Sequence, residues 1–227
     1  MNYIVISGDV VAFTSLSNAQ KEVLEARLRS LNIALAMKFN TYARLVKGDA
    51  WECVVPNPED GLTVALLAKS WVKSFTVSPK DKENRLKNFE VYGIRLAIGY
   101  GPLKRFDPER GIIDGEAIYQ SGRKINEEGS HGKERVVIKN TLFFESGNSA
   151  LNQEMEPLMA LLDHTINKAT EKQSLVLYHK LFGKSEQAIA DELGISQSSV
   201  NQHSTSLGWN AIEKAVVFFR ARMADMT

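Results

Sequence analysis

The sequence predicts an α+β fold, with a sheet-bearing N-terminal domain over residues 1–142 followed by an all-α domain over residues 143–227. Three observations predict it. Short β-rich runs alternate with amphipathic helical runs up to about residue 139. From about Ser146 onward only helical patterns occur. The chain has 227 residues, 44% of them hydrophobic and 24% charged, which is enough for two domains with real cores.

Tyr3–Asp9 is a short β-rich run and a candidate buried strand. Leu24, Leu28, Leu31, Leu35 and Phe39 recur at three and four residues, which predicts a helix over about Ala19–Phe39. Tyr42–Lys47 and Trp51–Val55 flank Gly48-Asp49-Ala50 and read as a hairpin. Pro58 opens a second helix carrying Leu62, Leu66, Leu67, Val72 and Phe75. Ser78–Asn88 is expected to be a polar, lysine-rich loop, and Phe89–Tyr100 a strand ended by Gly101-Pro102. Asp114–Glu128 is expected to form a third helix and Glu134–Lys139 a last strand. The resulting order, β-α-β-β-α-β with an added α-β, is that of a ferredoxin-like split βαβ. In that arrangement strand one runs antiparallel beside strand three. Asp9 at the end of one and Asp49 in the hairpin before the other are thereby brought together.

The C-terminal half reads as helices throughout. Leu151–Lys168 forms one; Thr170-Glu171-Lys172-Gln173 is a capping box opening the next, which Gly183 stops. Ser185 caps a short helix whose inner face is Ile189, Ala190 and Leu193. Gly194 sits where a tight turn needs positive φ, Ile195 plugs the space under the turn, and Ser196 caps a second helix. Val200 and Leu207 point inward from it. Its outward face carries Gln197, Ser198, Ser199, Asn201, Gln202 and His203. Such a pattern predicts a DNA-reading helix-turn-helix whose amide side chains bond adenine edges. A helical hairpin used for packing or for protein contacts is the alternative. On a final helix, Trp209, Ile212, Val216 and Phe219 form a seam that holds this domain to itself or to a twin.

Composition narrows the function classes. The single cysteine, Cys53, excludes an intrachain disulfide, and its alternating flanks read as a strand around a reduced core thiol. No Cys/His cluster has zinc spacing. A signal peptide and a membrane-length apolar run are both absent from the sequence, so a cytoplasmic location and no membrane partner are expected. The formal net charge of +1 is not that of a protein that coats nucleic acid, yet leaves room for a local DNA-binding face.

Two carboxylates at strand ends, Asp9 and Asp49, suit a hard divalent ion such as Mg²⁺. An aspartate in a Gly-Asp turn also has a purely structural use. The basic residues of 78–88, those flanking Asp107-Pro108-Glu109, and Gly129-Ser130-His131-Gly132-Lys133 read as solvated loops and a turn.

Four stretches carry a resemblance to the class III nucleotide cyclases, in that family's order over about residues 3–139. Gly8-Asp9-Val10-Val11-Ala12-Phe13-Thr14-Ser15-Leu16 resembles the opening metal motif, and Gly48-Asp49-Ala50-Trp51-Glu52-Cys53-Val54 the second metal hairpin. Gly93–Pro102 resembles the strand ending in Gly-Pro. Asp114-Gly115-Glu116-Ala117-Ile118, on to Arg123, resembles the helix of transition-state residues. Over nearly the whole chain, helix-turn-helix segment included, the plan is similar to the SatD family of bacterial proteins. The segment from Thr170 through Gln197 is also similar to the helix-turn-helix of sigma-70 region 4 and LuxR-type proteins.

The cyclase resemblance implies roles. Asp9 and Asp49 would hold Mg²⁺ or Mn²⁺. Val10 and the Phe13-Thr14 turn would face the phosphates. Arg123 would neutralise charge on the transferring phosphoryl group, and Tyr119 occupies the ribose-orienting position. A homodimer is implied, because in that family the site lies between two subunits. The chain departs from the family pattern at three places. Tyr119 replaces an Asn, Leu45 falls where an adenine-reading Lys stands, and Ile112 falls at its Asp partner, with Arg44 and Lys47 displaced by one strand face or more. The reading that results is a DNA-binding transcriptional regulator whose cyclase-like domain binds a nucleotide and metal or mediates dimerisation. The alternative is a nucleotide cyclase of non-standard base specificity fused to a DNA-binding domain.

Overall fold

The computed structural model describes residues 1–46, 48–77, 84–130, 138 and 140–226. It is a mixed α+β structure built on a six-stranded sheet. β1 (Asn2–Val10) lies between β3 (Ala50–Val55) and β4 (Ile94–Asp107), antiparallel to both. β2 (Tyr42–Val46) pairs β3 at one edge, and β5 (Ile112–Gly115) continues the sheet from the distal part of β4. β6 (Leu142–Ser146) pairs β4 in parallel.

Strand alternation assigns the two faces. Ile4, Ile6, Val10, Trp51, Cys53, Ile94, Leu96 and Ile98 point to one side and are buried there. α1 (Asn18–Phe39) covers that side with Leu24, Leu28, Leu31 and Leu35. It opens on a capping box, in which the Ser17 hydroxyl accepts from Gln20 N and the Gln20 side chain accepts from Ser17 N at 2.8 Å. α2 (Gly61–Lys73) is buried all round, as expected of a helix walled in on every side. On the opposite face Val5 and Val54 meet α4 (Glu116–Ser130) through Ala117. Here α4 lies almost on the strand: a Cβ at Gly99 would stand 2.1 Å from the Ala117 carbonyl oxygen and 2.7 Å from Ser121 N.

Several expected boundaries move. Residues 89–92 are not strand but the end of α3 (Asn84–Tyr92), in which Leu86 and Phe89 turn inward at a helical spacing of three. Gly93, at φ 63°, ends that helix and lets β4 start at Ile94. The polar stretch expected as a loop to Asn88 is therefore helical from Asn84. β4 does not stop at Gly101-Pro102 but runs on to Asp107 and folds back through β5, so the third helix begins at Glu116 rather than Asp114. Pro102 stands opposite Asn2 at the last rung of the β1–β4 ladder, so its missing N–H costs the ladder little. The strand expected over Glu134–Lys139 falls almost wholly outside the described residues; β6 lies at 142–146.

α5 (Ser149–Asn167), α6 (Glu171–Leu181), α7 (Glu186–Leu193), α8 (Gln197–Leu207) and α9 (Trp209–Ala224) follow. Their apolar residues Met155, Leu162, Ile166, Leu177, Leu181, Ile212 and Phe219 belong to the same continuous core as Leu28, Leu66 and Ile98. The expected boundary at 142/143 thus falls at the start of β6, inside a shared core. A buried polar knot ties the two sides. The Lys69 ammonium on α2 lies 3.1 Å from the Asp163 carboxylate on α5 and donates to Thr141 Oγ1 at 2.6 Å and to the Ile94 carbonyl at 3.3 Å. Asp163 also accepts from Thr141 N at 2.6 Å and from its hydroxyl at 2.7 Å. One helical turn on, Lys73 donates to the carbonyls of Glu90, Val91 and Asn167 and so satisfies the ends of α3 and α5 together. Burial and the neighbouring Lys69 charge pull its pKa down to about 8.

Candidate functional site

Two groups of sequence-predicted residues occupy separate places. The first is the end of the sheet where β1 meets the β2–β3 hairpin. Asp9 is the cross-strand neighbour of Ala50, and Val10 N donates to the Asp49 carbonyl at 3.0 Å, so the two aspartates share one sheet end. Asp9 points to the α4 side, with Val5 and Ser7. Its other cross-strand neighbour is Arg95, whose guanidinium stands 3.6 Å from Asp9 Oδ2. Asp9 Oδ1 is buried and has no hydrogen-bond partner among the described residues, and the same is true of Arg95 Nε. The Asp9 pKa is raised. Loss of solvent on burial is the main cause, Arg95 opposes it, and the Asp49 charge adds to it.

This donor set fits a divalent cation. A second negative charge and an orphaned buried carboxylate oxygen both favour one, and Mg²⁺ is commonly held by one or two carboxylates with the remaining oxygens from ligand and water. No group of three or more His, Cys, Asp or Glu residues with metal-site geometry occurs among the described residues.

Nothing in the sequence marks Arg95, because one basic residue inside an alternating strand carries no motif of its own; the register opposite Asp9 is what marks it. The Val10 side chain lies in the core and its N–H is spent on Asp49, so it has no donor left for a phosphate. Phe13 is half-buried; it would lie 3.6 Å from a Cβ on Gly48, and Lys21 stands 5.4 Å over its ring. Thr14 is exposed. Tyr119 and Arg123 sit one turn apart on the solvent side of α4. Within one chain it is Ser121 that α4 turns toward the sheet, its hydroxyl 2.8 Å from that of Ser7. Tyr119 donates instead to Asp114, a bond that raises the phenol pKa.

On β2 the faces are the reverse of what base reading at Leu45 requires. Leu45 packs into the core beside Trp51, and Arg44 stands on the open face, paired with Glu52 at 2.6 Å and donating to the Gly111 carbonyl. Cys53 is buried and its thiol pKa is pushed up to about 12, as befits an inert core thiol.

The second place is the α7–α8 pair. Ser185 and Ser196 cap their helices through Ala188 N and Ser199 N, and Gly194 takes φ 63° in the turn between them. Ile189, Ala190 and Val200 close a small core of their own against Val176 of α6. Gln197, Ser198, Asn201 and Gln202 are exposed, whereas Ser199 and His203 are half-buried. The stretch from Ser185 to Gly208 holds Glu186, Asp191 and Glu192 and neither Lys nor Arg.

Among the described residues no helix is long and apolar enough to cross a membrane. No protein-family model and no curated protein sequence matches the chain. Among solved structures, the chain is similar to a bacterial light-regulated adenylyl cyclase at a TM-score of 0.42 and 13% identity, covering 63% of this chain and 43% of that one. A second structure described in the same words gives a TM-score of 0.44 at 14% identity, covering 63% of this chain and 42% of that one. The chain spans less than half the length of either.

Proposed function

We propose that the sheet-bearing half is a cyclase-like, ferredoxin-type module that binds a nucleoside polyphosphate together with Mg²⁺ or Mn²⁺. One observation supports this reading: the backbones of Asp9 and Asp49 adjoin at one sheet end, with an Asp9 carboxylate oxygen that is buried without a hydrogen-bond partner among the described residues and the Arg95 guanidinium alongside. The two carboxylates would hold the cation, which would supply neutralisation of phosphate charge and acidify a nearby hydroxyl. Arg95, beside Asp9, would meet phosphate oxygens of a nucleotide bound together with the cation. Arg44 and Glu52 on the open face offer a charged pair where adenine-reading residues would otherwise stand, in keeping with base selection unlike that for ATP. Tyr119 and Arg123 face outward, so their use at such a site calls for a second subunit.

The test is incubation with each of the four nucleoside triphosphates and Mn²⁺ or Mg²⁺, read by mass spectrometry beside calorimetric binding. Binding that needs the metal and is lost in Asp49→Ala supports the reading, and a cyclic product makes the protein an enzyme. No heat with metal or with any nucleotide refutes both.

A second reading concerns α8, whose exposed amides and hydroxyls suit base edges and would make the chain a DNA-binding regulator. The absence of Lys and Arg from residues 185–208 implies that sequence readout would dominate over phosphate attraction. Fluorescence anisotropy with genomic fragments, with and without nucleotide, tests it. Failure to prefer any fragment would remove DNA as the partner.

A further inference from the structure

α9 carries apolar residues on two sides. Ile212, Phe219 and Met223 are buried in the main core, with Trp209 and Val216 half-buried beside them. The helix is fastened on that side by Arg220 to Asp60 at 2.5 Å, by Arg222 to Glu154 at 3.0 Å, and by the carbonyl of Met226, which accepts from Tyr100 at 3.1 Å. On the other side Val217 is 61% and Phe218 44% exposed. Ala221 and Ala224 follow at helical spacing, Lys214 precedes by one turn and Asp225 closes the row, all of them exposed. Two adjacent large apolar residues with small ones one turn on make a continuous stripe rather than isolated exposure.

We infer that this outward stripe of α9 is an interface with a second copy of the same chain. Of the antiparallel and parallel pairings, the antiparallel one makes the charges of the stripe complementary. With two helices antiparallel about a two-fold axis near Phe219 and Arg220, Phe218 of each copy faces Ala221 of the other, a large side chain against a small one. The same axis sets Lys214 of each copy opposite Asp225 of the other, giving two opposite-charge pairs at the ends of the contact. Asp225 has 72% of its side chain exposed and meets Arg222 of its own helix at 3.9 Å, so it can take a second cation. A parallel pairing would instead oppose Lys214 to Lys214 and Asp225 to Asp225. A patch that contacts its own image is what a two-fold dimer requires. One helix pair lies at the small end of specific interfaces, below about 1,200 Å² in total, so the dimer forms and dissociates with concentration.

Sedimentation velocity on the full chain tests this without nucleotide, metal or DNA. A reversible monomer–dimer equilibrium is expected. Phe218→Glu should leave monomer only. Lys214→Asp alone and Asp225→Lys alone should each weaken the dimer at least tenfold, while the double exchange, Lys214→Asp with Asp225→Lys, should return it to near the original strength. All three positions are exposed, and circular dichroism checks that the variants remain folded. A chain that stays monomeric at the highest attainable concentration overturns the inference. So does a dimer that survives Phe218→Glu, or a double exchange that fails to restore association. A dimer formed through the sheet half would survive every one of these changes, and that result too would overturn the α9 interface while leaving the nucleotide reading intact.

Discussion

Replacing Asp163 by Asn removes one charge from the knot that joins α2, β6 and α5. The carboxylate receives three donors: Lys69 Nζ at 3.1 Å, Thr141 N at 2.6 Å and the Thr141 hydroxyl at 2.7 Å. An amide has one acceptor oxygen, so one donor would face an NH₂ group, and the fully buried Lys69 would lose its counter-ion. Breaking a buried pair in this way costs about 3–5 kcal/mol, a large part of the ~10 kcal/mol typical of a folded chain. At this chain length the melting temperature should fall by roughly 6–20 °C. Lys69→Met should cost a similar amount, since it leaves a buried carboxylate. The double variant Lys69→Met with Asp163→Leu should recover most of the loss, but not all. Thr141 N is then without an acceptor, a residual penalty of about 1–3 kcal/mol. Urea unfolding of wild type, Asp163→Leu, Lys69→Met and the double variant, followed by circular dichroism, measures the coupling directly. Single losses below about 1 kcal/mol that add in the double variant would show that the knot does not hold α5 to the sheet, and the energetic argument would fail.

Three other outcomes follow from the same structure. Lys73 has a folded pKa of about 8 against the ordinary 10.5, so between those values the unfolded chain keeps a proton that the folded chain has lost. Its contribution to stability therefore rises with pH across that window, by up to about 3 kcal/mol, and the difference between wild type and Lys73→Met in urea midpoints at pH 7.5 and pH 10 should show that slope. Gly99→Ala drives a methyl into the α4 backbone, breaks the Ser7–Ser121 contact and should cost at least about 3 kcal/mol in a thermal melt; a neutral result would mean that α4 sits farther from β4 than 2.1 Å allows. Asp9, with its pKa raised, releases its proton in the folded chain only above the pH at which the unfolded chain does, so its charge lowers stability as pH rises through that window. Asp9→Asn should consequently remove that pH dependence and abolish stabilisation by Mn²⁺, whereas equal Mn²⁺ stabilisation of both chains would place the ion elsewhere.

Elements with strong local signals were legible in the sequence. The leucine repeat of α1, the capping box at Thr170, and the turn at Gly194 all depend on neighbours a few residues away, and they form where the pattern puts them. The approach of Asp9 to Asp49 was legible for a different reason: a hairpin and an antiparallel partner leave few ways to connect three strands. Harder cases were those decided by distant partners. Phe89 has a strand-like composition around it, yet its burial depends on α2 and on the helix end at Gly93. β6 is only five residues long and is defined by pairing with Leu96–Tyr100, more than forty residues earlier. Arg95, Lys69 and Asp163 carry no motif, and each acquires meaning only from the charge that folding sets beside it.

α6 is a wall common to two rooms. Val176 closes the small core of α7 and α8, while Leu177, Tyr178 and Leu181 close the large core, with Tyr178 stacked on Trp71 of α2 at 4.4 Å between ring centroids. A chain cut at 142/143 would leave each fragment with an apolar wall facing water. The two halves are therefore not interchangeable parts. Grafting residues 143–227 onto another protein would transplant an open surface along with α8, and recombination at that point should yield aggregates unless α2 travels with it.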